Sequence, residues 1–409
     1  MKHTYRQIIT HHSNRHLSWL LLSLLLLCLT ACSSSDDVPI SDIPGDELEN
    51  KTPTQLYIYV HAPQTAVPTR AYTGDVDPIG NEAMVYSLQI WVFTHVSNKL
   101  IGYFSPSETS ALNRPSGYGV FQLTVDEEYA KTEALRENVD VYVLANVEAG
   151  NCHLTLDQTT TRAQLEAAVL GTEDAFGLTA PVAAVPENMG LPMSGVLRNK
   201  PVTGSAPVLR LDDGGQMAQV SLIRTVSKLR FAFARQTDSE ALIINSIKLN
   251  TNMIPEEQYL FMADGAPYDR RTCHIKTESG YNTTTPELLA ATINDVPTIE
   301  QPVIYAWGHE ELEPQAYEHM LDVAAAEGNL AQRLYYLRES DKQLQGEIKY
   351  QIGDGEEQTA TFKMVDEGGF SRNHIWTVYA YQAQARLHVV VVDIAPWKTT
   401  ETNYDFYNW

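Results

Sequence analysis

Gln55-Leu-Tyr-Ile-Tyr-Val-His-Ala-Pro-Gln-Thr-Ala-Val-Pro-Thr-Arg-Ala71 is the stretch from which the rest of the chain reads. Leu56, Ile58 and Val60 alternate with Tyr57, Tyr59 and His61, the period of two that marks a half-buried β-strand. Pro63 and Pro68 end the pattern and leave Thr69-Arg70-Ala71 as an extended polar link. Proteases nick links of this kind, and a trypsin-like enzyme would cut after Arg70. The folded part of the chain therefore begins with a strand that one cut could detach.

Upstream, residues 1–31 read as an export signal. Lys2, Arg6 and Arg15 form a basic region ahead of the apolar run from Leu17 to Leu29. As a helix that run spans about 20 Å, short of the roughly 30 Å of a bilayer core. It ends in Leu29-Thr30-Ala31-Cys32, which resembles a bacterial lipobox. That resemblance implies acylation of Cys32 and cleavage before it; an ordinary signal peptide with an incidental cysteine is the alternative. Asp36 and Asp37 follow closely, and acids in that position resemble the surface-export tag of Bacteroidetes lipoproteins. Residues 32–54 are acidic, rich in Ser and Pro, and without hydrophobic period, as in a flexible tether.

The formal charge of −22 over 409 residues becomes −25 once the leader's three basic residues are gone. Such a surface repels nucleic acid and favours solubility. Four cysteines occur, of which Cys152 and Cys273 lie beyond the leader; either a disulfide between them or two free thiols is open, and no spacing suggests zinc.

Downstream, Val85 to Phe93, Lys99 to Phe104, Val120 to Val125 and Val139 to Asn146 read as strands. Thr161 to Leu170 reads as a helix, with Thr161 as N-cap, Gln164 as its capping-box partner and Gly171 as the stop. Arg198 to Pro207 reads as a loose segment. The second half offers strands at Gln219 to Phe233, Ile243 to Leu249, Val303 to Trp307, Leu344 to Ile352, Gln358 to Met364, Ile375 to Tyr381 and Leu387 to Ile394. A helix is expected over Gln315 to Glu327, and a hairpin turn at Gly353-Asp-Gly355. Many short strands with one helix per half point to a mainly β fold of two β-sandwich domains with a few short helices. Their expected spans are residues 55–205, with 55–70 as the removable strand, and 206–409.

The sequence carries few residues in a spacing that chemistry would need. His309-Glu310 lacks the second histidine of a zinc-protease motif, since residue 313 is Glu. Met193-Ser194-Gly195 lacks the first glycine of a nucleophile elbow, since residue 192 is Pro. The acids of Asp212-Asp-Gly-Gly215 and Gly353-Asp-Gly-Glu-Glu357 sit in turns and match no calcium loop. There is no phosphate loop. The chain reads as neither an enzyme nor a cofactor protein.

Several motifs, taken in order, carry a resemblance. They are the lipobox at Cys32, the strand ending at Thr69-Arg70-Ala71, and the strand pair at Val85 to Phe93 and Val139 to Asn146. Leu191-Pro-Met-Ser-Gly195, Leu222-Ile-Arg-Thr-Val-Ser-Lys-Leu229, Arg372-Asn-His-Ile-Trp376 and Val389-Val-Val-Val-Asp-Ile-Ala-Pro-Trp397 complete the set. The chain resembles a fimbrillin of the Bacteroidales, a type V pilin subunit. The resemblance implies two transthyretin-like β-sandwich domains and export as an outer-membrane lipoprotein. It also implies cleavage between Arg70 and Ala71 by an extracellular arginine-specific protease, and a place among other fimbrial subunits. Loss of Leu56, Ile58 and Val60 would open a groove for another subunit's strand. The tail 398–409, with Tyr404 and Phe406 on one face, is the candidate donor; a last edge strand of its own domain is the alternative. A surface lipoprotein that binds glycans or anchors a fimbria without polymerising is the rival function.

Overall fold

A computed structural model describes residues 53–61, 82, 84–105, 118–131, 133, 136–147, 154–171, 174, 185, 190–263, 273–299, 332–363, 369–383 and 385–394. Outside them lie Cys32, Arg70, Ala71, Cys152, Tyr404 and Phe406, together with the strand expected at 303–307 and the helix expected at 315–327.

The fold is mainly β. In chain order come β1 (Gln55–His61), β2 (Leu88–Thr94), β3 (Leu100–Phe104), β4 (Tyr118–Thr124), α1 (Glu127–Lys131), β5 (Val139–Ala145), α2 (Arg162–Glu166) and β6 (Val169–Leu170). Then follow β7 (Met193–Lys200), β8 (Val202–Ser205), β9 (Val208–Asp213), β10 (Gln216–Met217), β11 (Gln219–Ser221) and β12 (Ile223–Arg224). A six-stranded sheet of β1, β4, β8, β9, β10 and β11 faces a five-stranded sheet ordered β12-β7-β5-β2-β3. Leu56, Ile58, Phe121, Leu209 and Val220 from the first sheet meet Leu88, Ile90, Val141 and Val143 from the second in one core.

Strands β2 and β5 are buried along their whole length. Their second face carries Trp91, Phe93, Tyr142 and Leu144, and Leu165 of α2 with Leu260 and Phe261 covers it. Burial on both faces is why Leu-Gln-Ile-Trp-Val-Phe reads as a continuous apolar run instead of an alternation.

The remaining strands are β13 (Val226–Gln236), β14 (Leu242–Leu249), β15 (Gln258–Tyr259), β16 (Thr298–Ile299), β17 (Gln332–Arg338), β18 (Gln345–Ile352), β19 (Gln358–Lys363), β20 (Ile375–Ala383) and β21 (Arg386–Ile394). A sheet ordered β16-β13-β20-β21, with β17 also on β13, packs against the sheet β14-β18-β19. Leu229, Phe231 and Phe233 share that second core with Ile244, Ile247, Ile348, Phe362, Trp376 and Val378. The β18–β19 turn passes through Gly353 at φ +54, a left-handed position that glycine occupies without strain.

Three local expectations change. The capping box forms as read, with Gln164 Oε1 accepting from Thr161 N at 2.8 Å. The helix nevertheless ends at Glu166, because Val169 and Leu170 pair with Tyr259 and Gln258. Long-range pairing there outweighs a weak local helical preference. Residues 198–207 are not loose: they finish β7, form β8 and turn into β9. The stretch from Gln219 to Phe233 is broken at Leu222 and Thr225 into β11, β12 and β13.

The expected boundary between residues 205 and 206 falls inside the β8–β9 hairpin. Leu209, Leu211, Val220 and Leu222 beyond it still belong to the first core. By packing, the chain changes core near Thr225. No helix among the described residues is long and apolar enough to cross a membrane.

Candidate functional site: the β1 slot

In β1 the alternation read from sequence is present in space. Leu56, Ile58 and Val60 are fully buried, while the residues between them are half-buried. Burying three such side chains is worth about 1.5–3 kcal/mol each, as an upper figure.

What sequence could not show is where β1 sits in its sheet. It is an interior strand. On one side it runs antiparallel to β4 over its entire length, from Gln55 opposite Thr124 to His61 opposite Tyr118. On the other side Gln55–Tyr57 run parallel to Val208–Arg210 of β9. Past Ile58, Tyr59–His61 run parallel to Gln219–Ser221 of β11. Backbone bonds extend these ladders at both ends: Gln55 N donates to Pro207 O (2.9 Å), Val125 N to Thr54 O (3.1 Å) and Leu222 N to His61 O (2.7 Å).

Among the described residues β4 pairs in this sheet with β1 and with no other strand. Removing β1 would therefore leave a slot between β4 and β9/β11, with unpaired N–H and C=O groups on both walls and an apolar floor. On the outer face, Val120 (50% exposed) stands opposite Tyr59 and Val208 (51% exposed) opposite Gln55.

The slot is held from behind at one corner by a close approach of the two sheets. A Cβ on Gly195 of β7 would lie 2.7 Å from Ser221 O and 2.8 Å from Val220 Cγ1 of β11, so only glycine fits. Nearby, the Asn146 side chain, in the left-handed region at φ +59, accepts from Tyr86 N (2.8 Å) and donates to Met84 O and Leu191 O (2.8 Å each). One amide thus ties the entry of β2 to the end of β5 and the entry of β7. The Leu191-to-Gly195 motif acts here in packing.

Two more of the motifs, Leu222 to Leu229 and Arg372 to Trp376, contribute to a buried polar seam at the change of core. Lys228 Nζ reaches Glu82 Oε1 at 2.7 Å, and Tyr336 OH donates to the same oxygen. Arg224 Nε donates to Glu82 O (3.0 Å), and its Nη1 donates to Asn373 Oδ1 (3.1 Å). Arg372 pairs with Glu339 and donates to Leu260 O (2.8 Å) and Tyr259 O (2.5 Å). Gln258 bridges Thr225 O (2.5 Å) and Glu339 N (2.8 Å). Burial pushes the Lys228 ammonium down from its ordinary value, against the opposing pull of Glu82.

A separate cleft of about 480 Å³ opens between α2 and residues 259–263. Ala163, Glu166, Arg198, Tyr259, Met262 and His274 line it. Glu166 Oε1 takes Arg198 Nη1 at 2.9 Å, Arg162 Nε at 3.1 Å and Tyr142 OH at 2.5 Å. Burial pushes the Glu166 carboxyl up, but the bonds from Tyr142, Arg198 and Arg162 outweigh it and hold the group below the usual glutamate range. Cys273 is a free thiol, pushed up by burial and donating to Ser340 O at 3.0 Å. Among the described residues no cluster of His, Cys, Asp and Glu could hold a metal ion.

No protein-family model and no curated protein matches the chain. Among solved structures it is similar to the tip fimbrial protein Mfa3 from Porphyromonas gingivalis, with C-terminal truncation. The identity is 13% and the TM-score 0.44, covering 84% of this chain and 100% of that one. It is also similar to a fimbrial assembly protein from Parabacteroides distasonis, with 10% identity and a TM-score of 0.42, covering 84% of this chain and 97% of that one.

Proposed function

We propose that the chain is a structural subunit of a cell-surface fimbria that polymerises by exchange of β1 for a strand of another subunit, and so serves adhesion and biofilm formation. One observation carries the reading: β1 is an interior strand, paired on both sides, joined to the rest of the fold through residues that include Arg70. An interior strand followed by a cuttable link is an arrangement in which a single cut can open a complete strand-shaped site. A donor strand with apolar residues at alternate positions would restore both ladders and refill the floor, which is β-augmentation. Such a joint would dissociate very slowly, because its release requires breaking both ladders at once.

In this scheme Cys32 carries the lipid that holds the precursor in the outer membrane during export. An extracellular arginine-specific protease then separates Arg70 from Ala71. Leu56, Ile58 and Val60 leave with the released segment, and Tyr404 and Phe406 of a neighbouring subunit's tail take their places.

The test is digestion of purified precursor with trypsin, followed by mass spectrometry of the new terminus and by size measurement. Expected are a terminus at Ala71 and growth of the cut protein into linear polymers, with Arg70→Ala abolishing both. A cut product that stays monomeric indefinitely would refute the scheme.

The cleft beside α2 favours a second reading, capture of glycans by the uncut protein. An aromatic side chain, Tyr259, stands there near the paired charges of Arg198 and Glu166, a combination suited to a sugar's apolar face and hydroxyls. Glycan-array binding that Tyr259→Ala removes and Arg70→Ala spares would support it.

A further inference from the structure

Glu82 is the first described residue after His61, and twelve positions separate it from Arg70. It lies outside the strands, yet it is fully buried. Three side chains converge on it from separate strands: Arg224 from β12, Lys228 from β13 and Tyr336 from β17. Lys228 and Tyr336 reach one carboxylate oxygen because they stand directly opposite each other in the β13–β17 register. The second oxygen, Oε2, is buried and has no hydrogen-bond partner among the described residues. Arg224 and Arg230 also act on the Lys228 ammonium, both lowering it, and Glu82 is the carboxylate that pairs with Lys228 beside these buried cations.

This geometry places a strong attachment where the proposed cut would otherwise leave a loose end. From these contacts we infer that Glu82 is the anchor of the processed chain. It fastens the segment downstream of Arg70–Ala71 to the β12–β13–β17 junction, so that loss of β1 empties one slot without loosening the entry to β2. The entry at risk is short: Tyr86 N and Ser87 N are held by Asn146 Oδ1, and β2 begins at Leu88. In the precursor, β1 and Glu82 both precede this entry and both are held in the fold. In the cut chain Glu82 is the remaining upstream restraint among the described residues. The inference rests on the reading of Arg70 as a processing site.

Hydrogen exchange of a peptide spanning residues 84–92 tests it, on uncut and trypsin-cut protein. Wild type should show the same protection before and after the cut. Glu82→Gln should match wild type before the cut and exchange at least about tenfold faster after it, since local opening is governed by local restraints. Ile247→Val, a core truncation far from the entry, should show no such dependence on the cut. If Glu82→Gln does not fold, Glu82→Asp, which keeps the charge and shortens the reach, should give an intermediate acceleration after the cut. Unchanged exchange in the cut variant, or loss of protection in cut wild type, would overturn the anchor alone. A precursor left intact at Arg70 would overturn the processing reading and the anchor together.

Discussion

Individual side chains in this protein divide into those that fill and those that tie. Leu56, Ile58 and Val60 fill, and any apolar residue of similar volume would serve, which suits a site meant to accept a second strand. Asn146 and Glu166 tie. Asn146 was visible in sequence only as the last residue of a strand; its role depends on four partners between Met84 and Leu191. Glu166 read only as a residue within the helix expected from Thr161 to Leu170, yet it gathers Arg162, Arg198 and Tyr142. Because its carboxyl is held below 4.5 in the fold, its contribution is present above that value and is lost as pH falls through the lower folded value. The stability difference between wild type and Glu166→Gln, from urea midpoints, should therefore be largest near neutral pH and shrink below pH 4.5. The effect should be modest, since the side chain is 39% exposed and screened by solvent.

Among the elements, β4 is the one whose fate is most tightly coupled to β1. Its ladder within the sheet runs to β1 alone among the described strands, although Phe121 and Leu123 still face the core. Removal of β1 should therefore raise amide exchange in residues 118–124 by orders of magnitude, leaving β5, flanked by β2 and β7, protected. Polymer formation, or addition of a peptide with the sequence Gln55–His61, should restore β4. Equal protection of β4 with and without β1 would mean that the slot closes up on itself. The sequence made β1 legible because one of its faces is half-exposed, and a period of two survives there. It hid the end of α2, since the pairing of Val169–Leu170 with β15 is made by residues almost ninety positions away.

At the scale of the whole molecule, the two cores are joined through a polar seam, with β12 and β13 separated only by Thr225. Arg372 and Glu339 are both fully buried there, and a buried pair costs more to halve than to replace. Arg372→Met alone should cost about 3–5 kcal/mol by leaving Glu339 unpaired. The paired substitution Arg372→Met with Glu339→Leu should recover most of that loss. Chemical denaturation followed by tryptophan fluorescence gives both values, with Trp91 in the first half and Trp376 in the second. If the seam couples the halves, both should report a single transition in wild type, and two in Arg372→Met.

Periodicity and turn residues were enough to determine from sequence that the chain is mainly β and that Gln55–His61 form a half-buried strand. These are local properties, written within a few residues of one another. Tertiary structure alone decided that β1 is interior, that β9 and β11 share its second side, and that Glu82, Arg224, Lys228, Arg372 and Glu339 meet in one buried seam. Strand order and charge pairing arise from contacts between residues tens to hundreds of positions apart. No local pattern encodes which distant partner a strand or a buried charge will find.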